Sequence, residues 1–514
     1  MLFSAAALRF AARFVVPLSV FPGLPAPLPL AGTCKANFAM PSFPEAFLKQ
    51  MEAALGPAEA AALTSALSGE SPVSVRLNPL KAVPAAGEAV PWCAAGRYLP
   101  GRPAFTFDPL LHAGAYYVQE ASSMFVAQAF SVIAHRLSAE GAPLRRVLDL
   151  CAAPGGKSTL WRSLLPAEAL LVANEPLRPR ASVLLENMAK WGHPDVVVSN
   201  AYPRDFAPLA GFFDVVAADV PCSGEGMFRK DTEAVAGWSP EAVALCARRQ
   251  REIVADVWPA LREGGYLVYS TCTFNREEDE ENVAYICREL GACPVEVPAE
   301  PAWGVAGDAR GEWPVAHFYP HRARGEGFFL ALLQKTAPAP SARGGRKARG
   351  CRTEGGGPWR EASRWLRAPG DFVPLPGSGD EVAAVRAGLA ADVASVAGAV
   401  RVLSAGVPLA QAKGRKLVPR AALALSAELA PDAFPRVELG PDEAVAFLRR
   451  EAPLLPAGVP RGYVVAAYEG LPLGFLNNLG SRANNLYPAE WRIRSTHTAV
   501  PPRVVIPKSP SFEI

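Results

Sequence analysis

Between residues 126 and 336 short apolar runs alternate with longer amphipathic stretches. The runs Arg146–Leu150, Ala169–Asn174, Asp195–Ser199, Phe213–Asp219, Tyr266–Ser270 and Gly327–Leu333 read as strands. Helical patterns separate them, among them 180–191 and 240–261. Such alternation predicts an α/β fold with a doubly wound parallel sheet, and ligands bind such sheets at the carboxyl ends of the strands.

Outside this region the pattern changes. An alanine-rich amphipathic helix is predicted from Pro44 to about Leu67, followed by a short alternating strand at Val73-Ser-Val-Arg-Leu-Asn-Pro. Residues 40–110 read as a small α+β cap, and His112 to Met124 leads into a helix ending near Leu137. Ala337 to Gly357 has no apolar periodicity and is basic; we read it as a solvated tether in preference to a phosphate contact. Residues 370–430 mix short strands and helices, and 462–475 reads as a hairpin turning at Glu-Gly-Leu-Pro.

Composition narrows the partners. The net charge is only +3, so any nucleic-acid surface is a local patch. Nine scattered cysteines without a C-x-x-C pair argue against a zinc ribbon and for a reducing, cytoplasmic compartment, and no metal site is expected. Residues 1–39 carry Arg9, Arg13 and an apolar stretch that mimics a targeting segment. Orderly helical sequence starts only at Met40, so we read 1–39 as a spurious extension. Prolines at 17, 22, 25, 27 and 29 interrupt that run, and no membrane span is expected.

The candidate chemistry starts at Ala152-Ala153-Pro154-Gly155-Gly156-Lys157-Ser158, after a strand and before a helix. Glycines there let the backbone approach a ligand at a helix N-terminus. A phosphate-binding P-loop needs glycine where Cys151 stands, and the dinucleotide G-x-G-x-x-G spacing is absent. S-adenosylmethionine fits instead. Asp149 and the loop flank its methionine part, Glu175 accepts the ribose hydroxyls, and Asn200 reaches toward adenine.

Two cysteines end later strands: Cys222 in Ala-Asp-Val-Pro-Cys-Ser-Gly and Cys272 in Tyr-Ser-Thr-Cys-Thr-Phe. Carbon 5 of a pyrimidine is too weak a nucleophile to take a methyl group unaided. A thiolate added at carbon 6 makes carbon 5 enamine-like; the adduct must then lose the carbon 5 proton and expel the thiolate. This needs a nucleophile, a group for the attacked ring and help in release. Asp219, placed beside both the cofactor and the base, is suited to hydrogen-bond a cytosine. The residues alone leave open which thiol attacks.

Asp149–Ser158, Asn174-Glu175, Asp219–Gly224 and Thr271-Cys272 together resemble the NOL/NOP/Sun family of RNA (cytosine-5)-methyltransferases. Tyr117 to Met124 and His321 to Phe329 share that resemblance, and Met227-Phe-Arg-Lys230 with the C-terminal region extends it to RsmF-type members, with a PUA-like RNA-binding end at 462–493. The resemblance implies a Rossmann-like methyltransferase core, Cys272 as the nucleophile on carbon 6 and Cys222 as the residue aiding release. It further implies a substrate in 16S rRNA or the small ribosomal subunit; a monomer is expected because nothing in the sequence points to more. The alternatives are a tRNA substrate, or an assembly factor whose RNA binding outweighs catalysis. Lys230, Arg482 and Arg492, with Arg494, are the candidate RNA contacts, while Asn477 stands where the family leads us to expect lysine. The implied organisation is an N-terminal RNA-binding cap at 40–125, a catalytic domain at 126–336, a linker at 337–358, an intermediate domain at 359–430 and the PUA-like domain at 431–514.

Overall fold

A computed structural model describes residues 43–84, 86–338, 356–375, 379–414, 416–496 and 502–508. The extension 1–39 and most of the 337–358 tether lie outside the described residues.

The central sheet is built from β1 (Arg146–Asp149), β2 (Leu170–Asn174), β3 (Val196–Ser199), β4 (Phe213–Asp219), β5 (Leu261–Thr271), β6 (Phe328–Lys335) and β7 (Val402–Ala405). Their order is β6-β5-β4-β1-β2-β3-β7, extended at the β6 edge by Ala292–Val295 and Ala316–Phe318. β5, β4, β1, β2 and β3 run parallel. The chain steps from β1 outward to β3, then returns to place β4 on the other side of β1, so the sheet switches direction between β1 and β4. Helices cover both faces, including α1 (Gly156–Leu164), α2 (Arg178–Trp191) and α3 (Pro240–Val257). Leu148, Leu171, Val172, Val197 and Val215 are wholly buried, each worth about 1.5–3 kcal/mol over exposure.

Three expectations need correction. The sheet is not purely parallel: β6 and β7 pair antiparallel at its two sides. The helix expected over 44–67 is two, Glu45–Leu55 and Pro57–Leu67. Gly56, at φ 82°, makes the bend, and Pro57 takes the first position of the second helix, where its missing N–H costs nothing. The helix expected to reach Leu261 ends at Val257, and Leu261 already opens β5.

The flanking parts share their cores. Phe47 packs edge-on against Phe228 and Trp238, so the first helix lies under the segment after Cys222. Val75, Leu77 and Tyr116 of the N-terminal sheet, with Phe105 of the helical turn Phe105–Phe107, bury in one cluster with Val437, Phe447, Val464 and Tyr487 near the C-terminus. The segment after the tether does not close on itself. Its four-stranded sheet is Phe372–Pro374, Glu381–Arg386, Val407–Lys413 and Lys416–Pro419, yet β7 leaves it to pair with β3. Val393 and Val396, on the helix before β7, join the core beneath the central sheet.

Candidate active site

The glycine-rich loop starts where β1 stops. The Leu150 N–H bonds Ala217 O and the Ala152 N–H bonds Asn174 O, both at 2.8 Å, which ties the loop to both neighbours of β1. Gly155 turns at φ 117°, and a side chain at Gly156 would crowd the Tyr117 ring at 3.3 Å. The chain therefore enters α1 directly, with its first N–H groups lacking intrahelical partners.

Two acceptors beside this loop are buried without hydrogen-bond partners, Asp149 Oδ1 and Glu175 Oε2. Asp149 Oδ2 is held by the Ser158 hydroxyl at 2.6 Å, so buried Ser158 orients Asp149 instead of facing outward. Glu175 Oε1 accepts from the Leu177 N–H at 2.9 Å, and Oε2 lies 3.5 Å from Arg180 Nη1. Burial raises both carboxyls, Asp149 to about 7. Arg180 also donates to Ala153 O at 2.9 Å, and Asn187 donates to Pro154 O at 2.7 Å. Asn200 Nδ2 donates to the carbonyls of Glu175 and Pro176 at 2.8 and 2.9 Å. The same residue lines an open cleft of about 470 Å³ shared with Arg204 and Arg401.

At the switch between β1 and β4 the loop meets the cysteine strands. Lys157 Nζ donates to Asp219 Oδ2 at 2.9 Å, and Ser270, opposite Asp219 in register, donates to Oδ1 at 2.8 Å. Desolvation opposes it, but Asp219 raises the Lys157 ammonium above its ordinary range. Pro221 follows β4 and cannot donate to a sheet ladder. The chain leaves the sheet there, and Pro221 O is held by Gln250 at 3.0 Å. Cys222 and Cys272 are free thiols whose sulfurs lie 3.0 Å apart. The Cys222 thiol is pushed well above its ordinary value, first by the hydrogen bond to the Cys272 sulfur and then by burial.

Two thiols, a carboxylate and a lysine thus meet at the switch of the parallel sheet. Residues 140–334 match the family 16S rRNA methyltransferase RsmB/F, 43–121 the N-terminal domain of 16S rRNA methyltransferase RsmF, and 434–493 the methyltransferase RsmF PUA domain. Ribosomal RNA small subunit methyltransferase F of Shigella boydii serotype 4 is 31% identical over 485 residues, covering 87% of this chain and 96% of that protein. The protein of the same name from Escherichia coli O157:H7 is 32% identical over 477 residues, with the same coverage. The chain belongs to the RsmF family. A solved structure, that of PH0851, shares the fold at TM-score 0.50 and 23% identity, covering 57% of this chain and 66% of that one.

Within this RsmF-family chain the candidate RNA residues lie apart. Arg482, Arg492 and Arg494 are exposed around the C-terminal sheet, whereas Lys230 sits near the cysteines, 3.3 Å from buried Glu326. Asn477 is half-buried in the strand Leu471–Asn478, opposite Tyr463 and Asn484.

Several supporting residues escaped the sequence reading. Arg76, on the N-terminal strand, is wholly buried and donates to Gln119 Oε1 at 2.7 Å and to Gly156 O at 3.2 Å. Its Nη1 has no hydrogen-bond partner, and its guanidinium lies 4.6 Å over Trp191. The N-terminal domain thus braces the glycine-rich loop. The signal was the alternation in Val73-Ser-Val-Arg-Leu: Ser74 and Arg76 share one strand face.

Proposed function

We propose that this protein methylates carbon 5 of a cytosine in 16S rRNA, using S-adenosylmethionine, through a covalent adduct on Cys272. The observation that carries the reading is the meeting of Cys222, Cys272, Asp219 and Lys157 at one sheet switch. Membership of the RsmF family supports the substrate.

The residues fit the cofactor. Asp149 Oδ1, without a hydrogen-bond partner, and Glu175 Oε2, which has only the Arg180 ion pair, match its ammonium and ribose hydroxyl donors, and loop residues 152–158 flank its methionine part. The cleft lined by Asn200, at the end of β3, suits its adenine end. When bound, the cofactor supplies an electrophilic methyl group on a sulfonium.

The chain's own groups do the rest. The Cys272 sulfur adds to carbon 6, and the electron pair moves toward carbon 5 and the ring nitrogen. Asp219, aligned by Ser270 and Lys157, hydrogen-bonds the amino group of the base and the ring N–H that forms as N3 takes up a proton on attack. Once carbon 5 carries the methyl group, its proton passes to water, the electron pair left behind restores the carbon 5–carbon 6 double bond, and the Cys272–carbon 6 bond breaks. The Cys222 thiol is placed to hydrogen-bond the departing sulfur and so favours release. A cytosine reaches such a recessed site only unpaired or flipped out of a stack. Arg482, Arg492 and Arg494 supply cationic contacts to the RNA backbone, with Lys230 nearer the target nucleotide. Among the described residues no helix is long and apolar enough to cross a membrane; we assign the protein to the cytoplasm, acting as a monomer.

The test is methyl transfer by purified protein from labelled S-adenosylmethionine to transcribed 16S rRNA, assembled small subunits and tRNA. Label in 5-methylcytosine is expected from one of the two ribosomal substrates. Label in tRNA alone overturns the substrate, and label in a base other than cytosine overturns the chemistry.

A further inference from the structure

Two buried glutamates tie the cysteine loops to each other in opposite directions. Glu278, from the loop after Cys272, accepts from the N–H of Ser223, the residue after Cys222, at 3.0 Å. It also accepts from Gln250 at 2.7 Å and from Asn275 Nδ2 at 2.9 Å. Glu225, from the loop after Cys222, accepts from the N–H of Phe274, two residues past Cys272, at 2.6 Å. Its other oxygen takes Trp238 Nε1 and Asn275 Nδ2, both at 3.0 Å. Both glutamates are wholly buried, and Asn275 bridges them. The loops also touch through backbone: the Gly226 N–H bonds Cys272 O at 2.8 Å, where a Cβ on Gly226 would clash with Gly327 and Cys272 O.

Every one of these contacts presents a donor to the carboxylate. An ionised carboxylate accepts at both oxygens, whereas a glutamine of the same shape must turn an N–H toward one of the donors. The mechanism above uses neither glutamate, and an acidic run such as Glu277-Glu-Asp-Glu-Glu281 in sequence alone reads as a solvated face.

We propose that Glu225 and Glu278 are positioning residues forming a reciprocal clamp that holds the two sulfurs at their working separation. Each loop's glutamate grips backbone next to the other loop's cysteine. Loosening either grip displaces one sulfur relative to the other, so the clamp governs how the enzyme divides its time between adduct formation and release. The inference rests on the covalent reading of the proposed function.

The two grips are not equivalent, which makes the test specific. Glu278→Gln frees the Cys222 side and is expected to slow release, raising the steady-state protein–RNA adduct about 10-fold, the scale of a sub-ångström misplacement. Glu225→Gln frees the Cys272 side and is expected to slow adduct formation about 10-fold without accumulation. Adduct is read on denaturing gels with labelled rRNA, normalised to the folded fraction from near-ultraviolet circular dichroism. Asn275→Ala removes the bridge with both carboxylates kept, and is expected to slow both steps by a smaller factor; it serves where a glutamine variant does not fold. Cys222→Ala is the control for the underlying reading. If it traps no adduct, the covalent scheme fails. If it traps adduct while the glutamine variants change both steps equally or neither, or Asn275→Ala changes neither, the clamp fails.

Discussion

Replacing Cys272 by alanine is expected to lower methyl transfer by about a thousandfold or more, with no covalent protein–RNA product at any time point. Cys222→Ala is expected to give the opposite pattern: turnover falls to a similar level while adduct accumulates and resists denaturation. The asymmetry follows from the roles proposed above. The sulfurs are 3.0 Å apart, and the hydrogen bond to the Cys272 sulfur and burial push the Cys222 thiol well above its ordinary value. With Cys272 as the sulfur that bonds carbon 6, Cys222 is the neighbour that steadies it on departure. A gel-shift time course under denaturing conditions, alongside methyl incorporation, checks both halves. Adduct formed by Cys272→Ala, and none by Cys222→Ala, would reverse the assignment.

The largest expected effect on stability lies away from the chemistry. Lys81 is buried and its ammonium donates to three carbonyls: Ala113 O at 2.9 Å, Lys190 O at 2.8 Å and Leu425 O at 2.8 Å. These belong to the N-terminal domain, to α2 and to the segment after the tether. Asn78 strengthens the same junction by donating to Gly114 O and Trp191 O at 2.9 and 3.0 Å. Lys81→Met leaves three interior carbonyls unpaired, and at about 1–3 kcal/mol for each orphaned group a loss of roughly 3–5 kcal/mol is expected. Methyl transfer per folded molecule should persist, since no group of the site is touched.

The pH dependence has a defined sign. Burial pulls the Lys81 ammonium down to about 7, below its value of about 10.4 in the unfolded chain. Between those values the unfolded state binds the extra proton, so this group makes wild-type stability rise with pH across the window. The gap between wild type and Lys81→Met should widen from pH 7 upward. Urea unfolding at several pH values measures it; a variant as stable as wild type would refute the role.

How much could be read beforehand depended on how local each signal was. The parallel strands were legible because Val147-Leu, Leu170-Leu-Val-Ala and Phe213-Asp-Val-Val are short apolar runs punctuated by turn residues. Cys222 and Cys272 were legible because polar and glycine residues follow strand ends at both. β7 was not: Val402-Leu-Ser-Ala carries no mark that it pairs with β3 two hundred residues earlier. The break at Gly56-Pro57 was locally visible, yet alanine-rich periodicity on both sides outweighed it. Arg76, Lys81, Glu225 and Glu278 were missed for one shared reason. Their letters are those of surface residues, and only partners distant in sequence turn them into buried, hydrogen-bonded groups.

Asn200 and Ser158 show the converse. Both stand where the strand pattern places ligand contacts, but Ser158 spends its hydroxyl on Asp149 and Asn200 spends its amide N–H groups on the backbone after β2. The sheet dictated the positions, and the hydrogen-bond inventory decided what each side chain does there.

The central claim is a single cytosine in small-subunit rRNA methylated at carbon 5 by this chain. Bisulfite sequencing of total RNA, from cells carrying the gene, lacking it, or carrying Cys272→Ala, measures it directly. The account predicts one small-subunit rRNA cytosine that resists conversion only when the intact gene is present. Protection that persists in the Cys272→Ala strain, or that is lost at a tRNA position with rRNA unchanged, would contradict it.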